Sequence, residues 1–386
     1  MTALCFRRMA RSCSVLPKRG DRSELPSKLP DELKQLGLDT RTAGLRALPW
    51  PAREAYYRWL AIRISVQERA GFDYSLRELG PLVVRGVIFG HSIRDEIYQG
   101  VPTGWRRPGA AANYLEYARR FEYRELCSTP AALATLNNKL RMVELARSAG
   151  IPVPEQHGAG IAGEWWYVEA GEYVRADSLD DLVSRLPEGD LILKPIASRW
   201  GDGVEITDKG TIKARILKLR DRPALMLERR ERPGLLGLPV NSPVCTLRVM
   251  SYRLPQAMPD GPPEVLGSVL RVGIPGAAVD NMSAGGAVFA IDTETGAVHS
   301  GVETNLVPTQ IHGPSMVSPE LVRSCMDVAL DAHRAVSGLG SSGWDVGLTD
   351  RGPVLLEGNG DWGIELLQRV VGVSMRQRMH AARRSR

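Results

Sequence analysis

The sequence predicts an α+β fold, with mixed strands and helices behind an N-terminal region that is mainly helical. Three observations lead there. Short apolar runs of strand length recur near 165–168, 191–194, 204–206, 225–227, 244–252, 265–272 and 287–291, many of them as hairpin-like neighbours. That arrangement argues against a doubly wound parallel sheet. Amphipathic helical stripes lie between and before these runs. Near the C-terminal end, Gly343 to Thr349 and Gly352 to Asn359 read as two strands joined by the turn residues Thr349-Asp350-Arg351-Gly352.

In chain order, residues 1–30 are rich in Pro, Ser and charge and predict a disordered basic tail. A mainly helical region is expected over 31–129. Within it Ala52, Ala55, Tyr56, Trp59, Ile62 and Val66 form one stripe of a helix, and Leu82-Val83-Val84 reads as a short strand. His91 is a lone histidine, for which a hydrogen-bonded structural role is the ordinary one. The character changes at Thr129-Pro130. Leu133, Leu136, Leu140, Val143 and Ala146 predict an amphipathic helix ending at Gly150. Further helices are expected near 178–186 and 211–220, and another carries Leu321, Cys325, Val328 and Ala332 on one face.

Composition narrows the class. The chain has 386 residues, 43% hydrophobic and 24% charged, as soluble globular proteins do. No apolar run approaches the ~18 residues a membrane span needs. The net charge of +6 is uneven. Residues 1–20 carry five basic residues and no acid, as do residues 375–386, so removing these ten leaves about −4 for the rest. The body thus has no general nucleic-acid signature. The N-terminus lacks the apolar segment and small-residue site of a signal peptide. Cys5, Cys13, Cys127, Cys245 and Cys325 form no CxxC pair, which suits reduced thiols in a cytoplasmic protein.

Chemistry concentrates in four places. In the C-terminal strand pair, Trp344, Val346 and Leu348 alternate with Asp345, Gly347 and Thr349, and Leu355, Glu357 and Asn359 are expected to share a face. Pairing would bring Asp345, Glu357 and Asn359 together as hard oxygen ligands suited to Mg²⁺. The bland alternative is an edge charge and a turn asparagine. Lys194 ends an apolar strand before Pro195-Ile196-Ala197-Ser198-Arg199-Trp200-Gly201-Asp202-Gly203, where an ammonium and close backbone N–H groups suit polyphosphate. An ordinary hairpin with a surface lysine is the alternative. Arg248 lies mid-strand between Leu247 and Val249, and suits either a carboxylate partner or a bidentate phosphate contact. Lys139 follows Asn137-Asn138 at a helix start and by itself is a solvated lysine.

The order Lys139, Lys194, glycine loop, Leu225–Glu228, Arg248, Asp345, Glu357, Asn359 resembles the ATP-grasp superfamily over roughly residues 130–370. The run Val279-Asp280-Asn281-Met282-Ser283-Ala284-Gly285-Gly286 resembles the sugar-transfer-associated subgroup, related to α-L-glutamate ligases. The resemblance implies two α+β subdomains gripping ATP, and the charge distribution sets a basic tail over 371–386 after them. It implies that Lys139 and Lys194 bind phosphates under a mobile loop that includes Ser198, Gly201 and Gly203. Met226, Leu227 and Glu228 would form the hinge against adenine, with Glu228 or Glu231 reaching its amine or the ribose. Arg248 would stabilise the transferring γ-phosphate, and Asp345, Glu357 and Asn359 would hold Mg²⁺. The implied activity is an ADP-forming carboxylate–amine ligase, whose product includes a sugar or peptide-like metabolite. Phosphoryl transfer to a hydroxyl and a non-catalytic nucleotide-binding partner in polysaccharide assembly are the alternatives. The chain departs from the pattern at Asn138 and Thr246, where relatives carry acids, and at Trp200.

Overall fold

The structure, a computed structural model, describes residues 49–68, 75–95, 114–198, 201–219, 221–222, 224–234, 236, 238–239, 241–253, 261–303, 309–373 and 375–378. The expected tail over 1–30, Cys5, Cys13, Arg199, Trp200 and residues 379–386 lie outside these.

The N-terminal part begins with helices α1 (Trp50–Glu68) and α2 (Leu76–Phe89). The buried face of α1 is Tyr57, Ala61, Ile64 and Ser65, not the expected stripe, and Trp59 and Val66 are exposed. Leu82-Val83-Val84 is helical, not a strand. Leu82 packs with Ala61 and Ile64, and that tertiary contact overrides the β-branched run. A Cβ on Gly86 would lie 2.7 Å from Ile62 Cγ1, so glycine permits the close approach of the two helices.

After a 3₁₀ turn, Tyr117–Arg119, come α3 (Arg120–Cys127), α4 (Pro130–Asn137) and α5 (Lys139–Ser148). The single helix expected over 133–146 is therefore two. Asn138 leaves the helical region at φ −112°, and its side chain accepts from Arg141 N–H at 3.0 Å, capping α5. That cap fixes Lys139 at the first turn of α5.

The first sheet contains β1 (Gln156–Ile161), β2 (Glu164–Glu169), β3 (Glu172–Ala176), β4 (Leu191–Pro195), β5 (Glu205–Thr207) and β6 (Ala224–Arg229), in the antiparallel order β3-β2-β1-β6-β4-β5. Helices α6 (Leu179–Arg185) and α7 (Ile212–Lys218) cover one face through Leu182, Ile212 and Ile216 on Leu191, Leu193, Leu225 and Leu227. Period-2 alternation turns Lys194, Met226 and Glu228 to the other face, where Leu140 of α5 buries Met226.

The second sheet contains β7 (Thr246–Tyr252), β8 (Glu264–Val272), β9 (Ala287–Ile291), β10 (Val298–Val302), β11 (Ser341–Thr349) and β12 (Gly352–Asn359), in the antiparallel order β10-β9-β8-β7-β11-β12. Leu247, Val249, Trp344, Val346 and Leu348 form a core with α5 and α8 (Pro319–Ala335). The buried face of α8 is Val322, Cys325, Ala329, Ala332 and His333, rotated from the expected stripe. Thr246, Arg248 and Asp345 face the other way. Cys127, Cys245 and Cys325 are buried free thiols, and no helix among the described residues is long and apolar enough to cross a membrane.

His333 ties this core together. Its Nε2–H donates to Leu339 O at 3.0 Å, and its Nδ1 accepts from Ser251 Oγ at 2.7 Å. Ser251 Oγ in turn accepts from Trp344 Nε1 at 2.9 Å. Burial pushes the imidazole down to about 4, partly offset by the bond to Leu339. The folded value lies below the unfolded one near 6.5, so this stability is fully present above pH 6.5. It is lost as the pH falls toward 4, on the order of 3 kcal/mol in all. Urea unfolding at pH 7 and pH 4.5 should show that loss, and His333→Gln should flatten it. An equal loss in the variant would contradict the assignment.

Candidate active site

The two sheets face each other across an open cleft. From the first sheet it is lined by Ile192, Lys194, Glu228 and the segment Arg229–Glu231. From the second it is lined by Thr246, Arg271, Asp345, Leu356 and Glu357. Lys139, Ser198, Gly201, Asp280 and Asn281 complete it.

A register shift shapes the acidic corner. Asp345 pairs with Glu357, but Val346 pairs with Leu355, so Leu356 is the extra residue of a β-bulge. Leu355 consequently turns into the core with Trp344 and Val346, while Leu356 and Glu357 line the cleft. The expectation that Leu355 shares a face with Glu357 and Asn359 is corrected by that bulge.

Asp345, Glu357 and Asn359 do meet, though not as three free oxygens. Asn359 Nδ2 donates to Asp345 Oδ2 and Glu357 Oε1, both at 3.2 Å. Arg248 grips Asp345 with two bonds, Nε to Oδ1 at 2.6 Å and Nη2 to Oδ2 at 2.7 Å. Arg271 Nη1 adds a third at 3.0 Å. Burial alone would raise the Asp345 carboxyl. The guanidiniums of Arg248 and Arg271 outweigh it and hold the group well below the usual carboxylate range. Glu357 is less engaged. Its side chain is 30% exposed, and Lys139 Nζ lies 3.9 Å from Oε2. As a donor set for Mg²⁺, Glu357 and the amide oxygen of Asn359 fit, since the ion takes one or two carboxylates and fills its sphere with water and phosphate. No cluster of three or more acids, histidines or cysteines able to hold a metal occurs among the described residues.

Two residues without an assigned role in the sequence belong to the site. Arg271 is buried and pairs with Asp280 at 2.7 Å as well as with Asp345. Both acids stabilise its charged form against the burial that opposes it. Asp280 Oδ2 accepts from Thr246 N–H at 2.9 Å and from Thr246 Oγ1 at 2.6 Å. Arg271 carries the same signal as Arg248, a strand arginine flanked by Leu270 and Val272. Asp280 is a loop acid within the run Val279 to Gly286, whose resemblance marks the segment without giving this residue a role.

The remaining expected residues divide. Lys194 Nζ reaches the cleft, held by Glu228 Oε1 at 2.6 Å, and Gln156 Nε2 donates to Glu228 Oε2 at 3.2 Å. Lys139 Nζ donates to Ser198 O at 2.8 Å and Ser198 Oγ at 3.2 Å, anchoring the start of the glycine loop. Gly201 has φ +72°, and a Cβ there would lie 2.6 Å from Asn281 Nδ2, so the loop meets the opposite wall only as glycine. Gly203 packs on Pro195 and does not line the cleft. Met226 and Leu227 are a correction. Strand β6 is paired on both edges by β1 and β4, and both side chains are buried, so neither lines the cleft. The segment Arg229–Glu231, at the end of that strand, lines the cleft. Glu231 is held by Arg351 Nη2 at 2.5 Å.

Comparison with known proteins gives one family match. Residues 239–384 match the family described as sugar-transfer associated ATP-grasp. No curated protein matches the sequence. Among solved structures, the chain is similar to the D-alanine–D-alanine ligase from Coxiella burnetii, at 14% identity over 67% of this chain and 60% of that one, with a TM-score of 0.39. It is similar to the VanG D-Ala:D-Ser ligase from Enterococcus faecalis, at 12% identity over 67% and 64%, with a TM-score of 0.43. A third is the biotin carboxylase from Campylobacter jejuni, at 11% identity over 67% and 48%, with a TM-score of 0.45. The chain thus spans less than two thirds of each of these proteins. The segment over residues 239–384 that matches the sugar-transfer associated ATP-grasp family holds Arg248, Arg271, Asp280, Asp345, Glu357 and Asn359.

Proposed function

We propose that the protein is an ATP- and Mg²⁺-dependent carboxylate–amine ligase that releases ADP. The observation that carries this is the gathering of Lys139, Lys194 and Arg271, from both sheets and α5, around one cleft beside Glu357, with Arg248 held next to them on Asp345. Cations that converge on a cleft from both of its walls suit a polyphosphate, whose transfer depends mainly on positioning and charge neutralisation.

In this reading the carboxylate of the substrate attacks the γ-phosphorus, the bond to the β-phosphate oxygen breaks and ADP leaves. The amine then attacks the acyl carbon, phosphate leaves and the nitrogen gives up a proton. Lys194 and Lys139 neutralise the phosphates, and Lys139 couples them to the loop at Ser198. Arg248 and Arg271 meet the charge on the transferring group. The apolar shelf of Ile192, Val244 and Leu356 borders the segment Arg229–Glu231, where the base would lie. Glu357 and Asn359 would hold Mg²⁺, which supplies charge neutralisation on the phosphates when bound. The substrate class that fits the family's description is a sugar-linked or peptide-like carboxylate and its amine partner.

The test is ADP release from Mg-ATP over a panel of carboxylate and amine pairs. The reading predicts release that needs the carboxylate, and an amide product only with the amine. ADP release that needs a hydroxyl acceptor and no carboxylate would contradict it.

A further inference from the structure

Asp345 lies at the acidic corner of the cleft, in the grip of two guanidiniums. A carboxylate offers roughly four lone-pair sites. Four donors reach Asp345: Arg248 Nε on Oδ1, then Arg248 Nη2, Arg271 Nη1 and Asn359 Nδ2 on Oδ2. Its side chain is 5% exposed. Three of the four donors meet on Oδ2, so an ion there would displace a donor, and an ion on Oδ1 would sit beside the Arg248 guanidinium. Glu357, the direct cross-strand partner of Asp345, accepts from Asn359 and opens to the cleft with its side chain 30% exposed.

We propose that Asp345 is the shared counter-ion that aims Arg248 and Arg271 at the transferring group, and that the metal rests on Glu357 without it. The assignment rests on the nucleotide reading above. The guanidinium fork is planar, so two bonds from one carboxylate fix the plane of Arg248, and the third bond fixes one edge of Arg271. Asp280 fixes the other edge of Arg271, and Thr246 holds Asp280 through its N–H and hydroxyl. A chain of contacts, Thr246–Asp280–Arg271–Asp345–Arg248, thus spans β7, β8 and β11. Asp345 and Asp280 are positioning residues, and the guanidiniums are the groups that meet substrate.

The experiment separates metal affinity from nucleotide affinity. Mn²⁺ binding is followed by electron paramagnetic resonance with a non-hydrolysable ATP analogue at saturation, and analogue binding by calorimetry. Glu357→Gln should weaken Mn²⁺ by about tenfold or more, while Asp345→Asn shifts it by less than about threefold and weakens the analogue by about tenfold. An Asp345→Asn protein that loses Mn²⁺ as fully as Glu357→Gln overturns the proposal and leaves the nucleotide reading intact. Wild-type protein that binds neither probe overturns both. The crystal structure of the wild-type protein with Mn²⁺ and the analogue decides the matter if Asp345→Asn does not fold. Asp345 still held by both guanidiniums and away from the metal supports the proposal, and an Asp345 oxygen coordinated to the metal overturns it.

Discussion

Glu357→Gln is expected to lower ATP turnover on the order of 10³-fold or more while leaving the fold intact. The substitution removes a charge and keeps the shape. Glu357 accepts one hydrogen bond from Asn359, which a glutamine oxygen can also accept, and its side chain is not part of the core. Stability should therefore stay within about 0.5 kcal/mol of wild type. What is lost is the open carboxylate of the cleft, and with it the hold on the divalent ion and the balance of charge opposite Lys139. Turnover measured beside a thermal melt checks both halves. Wild-type turnover in a folded Glu357→Gln protein would remove Glu357 from the chemistry.

Lys194→Met should cost both binding and stability, and a second change should separate the two. Lys194 and Glu228 are each buried, with side-chain exposures of 8% and 5%. Removing the ammonium leaves a buried carboxylate with only Gln156 for company, which typically costs about 3–5 kcal/mol. Adding Glu228→Gln removes the stranded charge and should recover most of that loss. Nucleotide affinity should not recover, because the phosphate loses its cation in both proteins, and a fall of about tenfold or more is expected in each. Urea unfolding and calorimetry read the two effects separately. Full recovery of nucleotide affinity in the double variant would show that Lys194 serves the fold alone.

Much of the fold was legible because its strands alternate. The Lys194 strand, the Arg248 strand and the C-terminal hairpin all bury one face, so period-2 patterning finds them. Strand β1 escaped because Gly158 and Gly160 give it little strand character. Those glycines are required by packing: a Cβ on Gly160 would lie 2.2 Å from the Trp165 ring. Helix faces were legible as helices but not in phase. In α1 the buried stripe runs through Tyr57, Ala61 and Ile64, a choice made by α2 and Ile93, which no local pattern encodes.

The site was legible where a residue type carries its own chemistry. Lys139, Lys194, Glu357 and Asn359 all come to the cleft or its acidic corner. The errors arose from pairing. Met226 and Leu227 vanish into the ladder because β6 has neighbours on both sides, which its sequence does not announce. The bulge at Leu356 changes which residues of β12 face Asp345, and a bulge is set by the partner strand. Arg271 was visible on the same grounds as Arg248 and becomes significant only when β8 is laid beside β7.

The measurement that tests the central claim most directly is calorimetric titration of the protein with a non-hydrolysable ATP analogue, with and without Mg²⁺. The nucleotide reading predicts saturable binding that strengthens at least about tenfold with Mg²⁺. Absence of binding in both conditions, or binding indifferent to Mg²⁺, would contradict it.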